Sequence, residues 1–142
     1  MKKAPSDYKI LVVDDHMISI RLLQTHLQVA GFMDIEIATN GDEASEQLKS
    51  GHFDIVFMDW AMPQRDGITV LRECRAEPRF DSTAFVMVSA EAQRKNIIEA
   101  LAAGATAYIV KPLSQDELKD PVAKVLKWLE NRAVDSGNVV NA

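Results

Sequence analysis

Four apolar runs, each ended by a polar residue, constrain what this chain can fold into. They stop at Asp14 and Asp15, at Asp59, at Ser89 and at Lys111. Apolar runs without polar alternation are typical of strands that are covered on both faces, which occur mainly in parallel sheets. The carboxyl ends of parallel strands meet at one edge of a sheet, so we expect these polar side chains to lie together.

The segments between the runs carry apolar residues at steps of three and four, the spacing of one helical face. In segment 16–30 these positions are Ile20, Leu23, Leu27 and Ala30, and Gly31 follows as a helix stop. With a further short strand at 35–38, the pattern predicts five strands that each precede a helix. Parallel neighbours need right-handed crossovers, so the predicted class is α/β, a doubly wound parallel sheet with helices on both faces.

The predicted strands are 9–13, 35–38, 54–58, 84–88 and 107–110. The predicted helices are 16–30, 42–50, 68–76, 91–103 and a last one from Ser114, with Ile97, Ile98 and Leu101 on one face of the fourth. Ser114 and Glu117 have the spacing of a capping box. Pro121 lies too deep for a first-turn proline, so it should either kink the last helix or restart it with Asp120 as cap.

Length and composition limit the class of protein. A chain of 142 residues suits one domain, here 9–132, with a lead-in at 1–8 and a disordered tail at 133–142. The net charge of -5 argues against direct nucleic-acid binding, and the single Cys74 predicts a reduced thiol. Without a run of about 18 apolar residues or a signal peptide, we expect a cytoplasmic protein with no membrane insertion.

The polar residues at the strand ends suit phosphoryl transfer. Three crowded carboxylates require a cation, and an all-oxygen cluster favours Mg²⁺. Because His16 is the only His or Cys beside them, zinc is disfavoured. Asp59 would be the nucleophile that forms an acyl phosphate, with Mg²⁺ bridging it to the incoming group, while Lys111 and the Ser89 hydroxyl hold the other oxygens.

Four motifs carry a resemblance to a known family. VVDD, FMDWAMP, VSA and YIVKP stand in order at the first, third, fourth and fifth strand ends. They resemble the signature of two-component response-regulator receiver domains, particularly the stand-alone, CheY-like chemotaxis type, over residues 9–129. The resemblance implies a flavodoxin-like fold with strand order 2-1-3-4-5.

The resemblance also implies a role for each matching residue. Asp59 becomes the phosphoacceptor; the metal ligands become Asp14, Asp15, Asp59 and the backbone carbonyl of Ala61. Ser89 and Lys111 hold the phosphoryl group, while Ser89 and Tyr108 form a switch in which the ring follows the hydroxyl inward. Ala61 and Glu91 flank the site and influence the phosphoryl lifetime, Trp60 and Pro112 are site neighbours, and the Lys111–Pro112 bond is expected to be cis.

The function implied is a signalling switch rather than an enzyme. A histidine kinase or phosphotransfer protein would phosphorylate Asp59, and the face made by helix 4, strand 5 and helix 5 would change its affinity for a protein partner. The domain would be a monomer or a weak phosphorylation-dependent dimer. No output domain is visible, so the output is a protein partner or the chain is a fragment of something longer.

Two alternatives stay open at this point. One is a metal-dependent phosphatase with an aspartyl intermediate, although such enzymes usually carry a second acid where this chain has Ala61. The other is a receiver-like interaction module that is never phosphorylated, against which the intact acids, hydroxyl and lysine argue. His16, His26 and His52 lack the surroundings of a phosphoryl carrier.

Overall fold

The computed structural model describes residues 3–141, with side chains as far as Arg132. The strands are β1 Lys9–Val13, β2 Asp34–Ala38, β3 Ile55–Asp59, β4 Ala84–Ser89 and β5 Ala107–Val110. The helices are α1 Met17–Val29, α2 Gly41–Ser50, α3 Gly67–Arg75, α4 Arg94–Ala102 and α5 Gln115–Asn141, with two short 3-10 turns at Pro5–Asp7 and Pro78–Phe80. The predicted alternation of five strands and five helices is confirmed.

All neighbouring strands pair in parallel, in the order β2-β1-β3-β4-β5. This is the predicted doubly wound sheet, and β1 lies at the point where the strand order reverses. Successive side chains of a strand point to opposite faces, so a strand between two helical layers must be apolar at every position. Burial of every residue of β3 and β4 is therefore the physical reason for the unbroken runs.

Two apolar layers enclose the sheet. Alternate residues of β1, such as Ile10 and Val12, pack with α1 and α5 on one face. Leu11 and Val13 point to the other face, which α2, α3 and α4 cover. Tyr8, placed by the sequence in the lead-in, is also buried against the first layer. The helices leave one edge of the sheet open, at the carboxyl ends of the strands.

The fourth helix differs from its prediction at its start and in the face that it buries. It begins at Arg94 rather than Glu91, because contacts to neighbouring strands hold the backbone at Glu91 outside the helix. Its buried residue is Ala100, whereas Ile98 and Leu101 are 54% and 44% exposed. Two of the three residues on the predicted face are therefore open to solvent, and the third, Ile97, is half-buried.

The last helix begins as predicted. The Glu117 amide donates to the Ser114 hydroxyl, and the Ser114 amide donates to the Glu117 carboxylate, each at 3.2 Å. The helix then passes through Pro121 without a break, so the predicted restart at Asp120 is wrong. A disordered tail was predicted at 133–142, whereas the described backbone continues α5 as far as Asn141. The domain bounds of 9–132 stay a prediction.

Candidate functional site

The sheet register brings the predicted site residues to one edge. Val13 lies opposite Met58, so Asp14 and Asp59 follow adjacent positions of neighbouring strands. Ser89 lies opposite Val110, directly before Lys111. Residues from four separate segments thus converge beside the strand-order reversal, where open α/β sheets bind their ligands.

Lys111 joins two buried carboxylates. Its Nζ donates to Asp14 Oδ2 at 2.7 Å and lies 3.6 Å from Asp59 Oδ1. The side chains of both acids are 7% exposed, and that of Lys111 is 19% exposed. Burial raises the pKa of Asp59 above its ordinary value; Lys111 opposes this shift, while Asp14 and Asp15 add to it. One ammonium therefore leaves this group of acids short of positive charge.

The acids have the chemistry of a divalent-cation site. One ligand atom from each of Asp14, Asp15, His16 and Asp59 lies within 4.8 Å of all the others. We call Asp14, Asp15 and Asp59 the acidic half of the site. Its oxygens fit Mg²⁺, which takes a few protein carboxylates and keeps several waters. A bound Mg²⁺ would neutralise charge on the acids and on an incoming phosphoryl group. Ala61 is exposed two residues beyond Asp59, and its carbonyl remains a predicted ligand.

Ser89, Tyr108 and the backbone of Glu91 form a second group, which we call the hydroxyl half. The buried Ser89 Oγ accepts a bond from the Glu91 amide at 3.1 Å. The Tyr108 hydroxyl donates to the Glu91 carbonyl at 2.7 Å, which ties β5 to the loop before α4. Partial burial, the largest cause, raises the pKa of Tyr108, so its hydroxyl stays protonated and donates. These contacts connect the site to the surface at α4.

Two residues gain importance that the sequence did not give them. The Gly67 amide donates to the Trp60 carbonyl at 2.8 Å, and a Cβ at this position would overlap the Asp59 carbonyl oxygen. His16 was set aside, yet its ring lies beside the acids. The position of His16 directly after the acid pair is a signal that the sequence offered; Gly67 offered none.

The remaining predicted neighbours lie around this edge. Trp60 is half-buried, whereas Glu91 and Pro112 are exposed. The Lys111–Pro112 peptide bond is cis, as expected.

A doubly wound domain with acids, a hydroxyl and an ammonium gathered at its strand ends has the architecture of a signalling receiver. The chain belongs to the response regulator receiver domain family, whose model matches residues 10–123. It is thus a receiver domain, a phosphorylation-dependent switch by class.

Among its relatives are chemotaxis regulators. The chain is 40% identical over 119 residues to the chemotaxis protein CheY of Pseudomonas aeruginosa, which covers 84% of this chain and 96% of that protein. It is also 40% identical over 121 residues to CheY-3 of Vibrio cholerae, with 85% and 93% covered.

Solved structures agree with this assignment. The CheX-CheY-BeF3-Mg²⁺ complex of Borrelia burgdorferi matches with a TM-score of 0.76 and 32% identity, over 83% of this chain and 88% of the matched one. CheY4 of Vibrio cholerae matches with a TM-score of 0.76 and 29% identity, over 83% and 98%. The fold predicted from the sequence is confirmed. No helix in the described part of the chain is both long and apolar enough to cross a membrane.

Proposed function

We propose that Asp59 accepts a phosphoryl group from a phosphohistidine of a histidine kinase or phosphotransfer protein, with Mg²⁺ as cofactor. A new P–O bond to the Asp59 carboxylate replaces the donor's P–N bond, and the donor imidazole leaves with a proton from water. The observation that carries this proposal is the placement of Asp59, a 6% exposed carboxylate with Lys111 at 3.6 Å and two further acids beside it.

The metal requirement rests on the shortage of positive charge. Asp14, Asp15 and Asp59 would hold Mg²⁺ together with the Ala61 carbonyl. A related structure that contains CheY with BeF3 and Mg²⁺ supports this ligand chemistry in the family. Lys111 and Ser89 would bind the phosphoryl oxygens that the cation leaves free, since an ammonium and a hydroxyl both donate to them.

Mass spectrometry of the intact chain tests the acceptor. Incubation with a small acyl phosphate and Mg²⁺ should add one phosphoryl group, which hydroxylamine should remove. Asp59→Asn should gain none, whereas Asp42→Asn should behave as wild type because the Asp42 side chain is 63% exposed on α2. Equal gain by wild type and Asp59→Asn would contradict the assignment.

The switch would act through the hydroxyl half. Movement of the Ser89 hydroxyl toward a phosphoryl group on Asp59 would pull on the Glu91 amide that it accepts from. Glu91 in turn holds Tyr108 through its carbonyl. Phosphorylation would thereby shift the population between conformations of the loop before α4, and the Tyr108 ring would move with that loop.

The partner surface would be the face of α4, β5 and α5. Its support is the exposed apolar pair Ile98 and Leu101 next to this loop. We also propose that the protein acts in the cytoplasm, as a monomer or a weak phosphorylation-dependent dimer, and without binding nucleic acid directly.

Capture of partners on immobilised protein, with and without BeF3, tests this face. Leu101→Ser should remove the BeF3-dependent part of the captured protein. Val29→Ser, which removes a 68% exposed apolar side chain from α1, should leave it intact. Equal loss in both variants would argue against this face.

A further inference from the structure

His16 adds a nitrogen to a site that is otherwise built from oxygens. It stands at the amino end of α1, where its side chain makes no capping bond. Its amide donates to Asp14 Oδ1 at 2.9 Å, which fixes the backbone beside the acids. Its Nδ1 lies 3.0 Å from Asp15 Oδ1 and 3.4 Å from Asp14 Oδ1. The 68% exposed ring has no other described hydrogen bond that holds it in this place.

The distances suit one ion bound by all four side chains. Opposite ligands of a first-row divalent ion are roughly 4 Å apart, twice a bond of about 2.0–2.1 Å. The ligand atoms of the four residues lie within 4.8 Å of one another. Small side-chain adjustments therefore suffice to bring the imidazole and the carboxylates to one ion.

Imidazole changes which ion such a site prefers. Mg²⁺ is hard and selects oxygen, so a nitrogen adds little to its binding. Nickel, copper and zinc bind imidazole well, and their affinities for N/O sites exceed those of the earlier divalent ions. A histidine beside three carboxylates thus raises the affinity for a late transition ion selectively.

We propose that His16 is a direct ligand when the site binds a late first-row divalent ion such as Ni²⁺ or Zn²⁺, and that it gives this receiver domain a selectivity beyond Mg²⁺. This inference rests on the proposed function, because it uses the same three acids. It also revises the expectation from the sequence that disfavoured zinc. The transition ion and Mg²⁺ would bind at the same site, so each would exclude the other.

Calorimetric titration of the full chain with Ni²⁺ alone and with Mg²⁺ alone tests the proposal. His16→Ala should weaken Ni²⁺ binding by at least about tenfold, the lower end of what loss of a metal-site partner costs. Its Mg²⁺ affinity should stay within about twofold of wild type, since the oxygens are unchanged. His52→Ala is the matched control, because His52 is 76% exposed and pairs with Asp54 at 3.2 Å, away from the acids.

A spectroscopic measurement identifies the ligand directly. Pulsed EPR of the chain with substoichiometric Cu²⁺ should show coupling to an imidazole nitrogen, which excess Mg²⁺ removes together with the bound Cu²⁺. The coupling should disappear in His16→Ala and persist in His52→Ala. Persistence in His16→Ala would overturn the proposal.

The other outcomes also decide the matter. Equal weakening of Ni²⁺ and Mg²⁺ in His16→Ala would mean that the imidazole only positions the acids, and tighter binding of both would mean that it competes with the cation. Either result overturns the proposal. Phosphoryl gain with Mg²⁺ is measured separately on wild type and Asp59→Asn, so failure of the proposed function is distinguishable from failure of this inference.

Discussion

The acidic half and the hydroxyl half of the site are built in opposite ways. The acidic half holds two buried carboxylates, which Lys111 partly neutralises at 2.7 Å from Asp14 and 3.6 Å from Asp59. The hydroxyl half holds neutral groups that contact the backbone of Glu91, in the non-helical segment before α4. Charge that is fixed in place suits chemistry, whereas neutral bonds to a loop suit movement. We therefore expect mutations to separate stability and phosphoryl uptake from signalling.

The largest expected effect comes from removing Lys111, which contacts two carboxylates of the acidic half. Lys111→Met leaves two buried carboxylates without their ammonium, so the free energy of unfolding should fall by about 3 kcal/mol at pH 7 without metal. Mg²⁺ should restore most of the loss, because it binds the folded state alone. Urea unfolding without Mg²⁺ measures the loss of stability, and urea unfolding with Mg²⁺ measures its recovery. The control Lys124→Met removes an exposed ammonium and should change little.

The second effect concerns the close approach of Gly67 to the backbone carbonyl of Asp59. Gly67→Ala forces a Cβ against the Asp59 carbonyl, which should cost about 2 kcal/mol of stability and displace the carboxylate. Gly51→Ala is a matched control, since the nearest atom to its Cβ would be 3.5 Å away. Thermal unfolding and Mg²⁺ titration compare the two. Equal behaviour of both variants would show that the acidic half tolerates displacement.

The third effect has the opposite sign. Asp59→Asn removes a buried charge and should raise the free energy of unfolding by about 1 kcal/mol at pH 7 without metal. Because the folded-state pKa of Asp59 is raised, wild-type stability falls as pH increases from the ordinary carboxyl value through that raised pKa. The advantage of the variant should thus be complete above this window and vanish below it. Urea unfolding across pH 3–8, with Asp42→Asn as control, checks the sign.

The smallest effect belongs to the hydroxyl half. Tyr108→Phe removes the bond to the Glu91 carbonyl, together with the hydroxyl's interaction with Ser89, and should cost about 0.5–1 kcal/mol. Phosphoryl gain at Asp59 should stay near wild type, while hydrogen exchange before α4 should become faster. If Tyr108→Phe lowers phosphoryl gain at Asp59 well below that of wild type, the two halves of the site are not separate.

The sequence predicted the strands better than it predicted α4. Strand bounds follow from burial on both faces, which leaves unbroken apolar runs. The start of α4 depends instead on bonds from Glu91 to Ser89 and Tyr108, and the burial of Ala100 rather than Ile98 depends on how the helix packs. Tertiary contacts of this kind leave no local pattern.

The candidate site likewise contains residues whose position the sequence predicted and residues whose position it did not predict. Asp14, Asp59 and Lys111 were predicted to converge because each ends a strand, and the structure brings them together. The close approach of Gly67 to the Asp59 carbonyl depends on the path of a loop. The position of the His16 ring depends on the first turn of α1. Neither follows from residue type alone, although the position of His16 directly after the acid pair is a signal in the sequence.

The bond between Asp14 and Lys111 has a consequence for biosynthesis, because its partners are 97 residues apart. At about 5–20 residues per second, Lys111 leaves the ribosome roughly 5–20 seconds after Asp14. Until then the nascent chain carries the acids without their ammonium, and β5 is missing from the sheet. We therefore expect the domain to bind its cation and accept a phosphoryl group only after β5 has been translated and paired with β4.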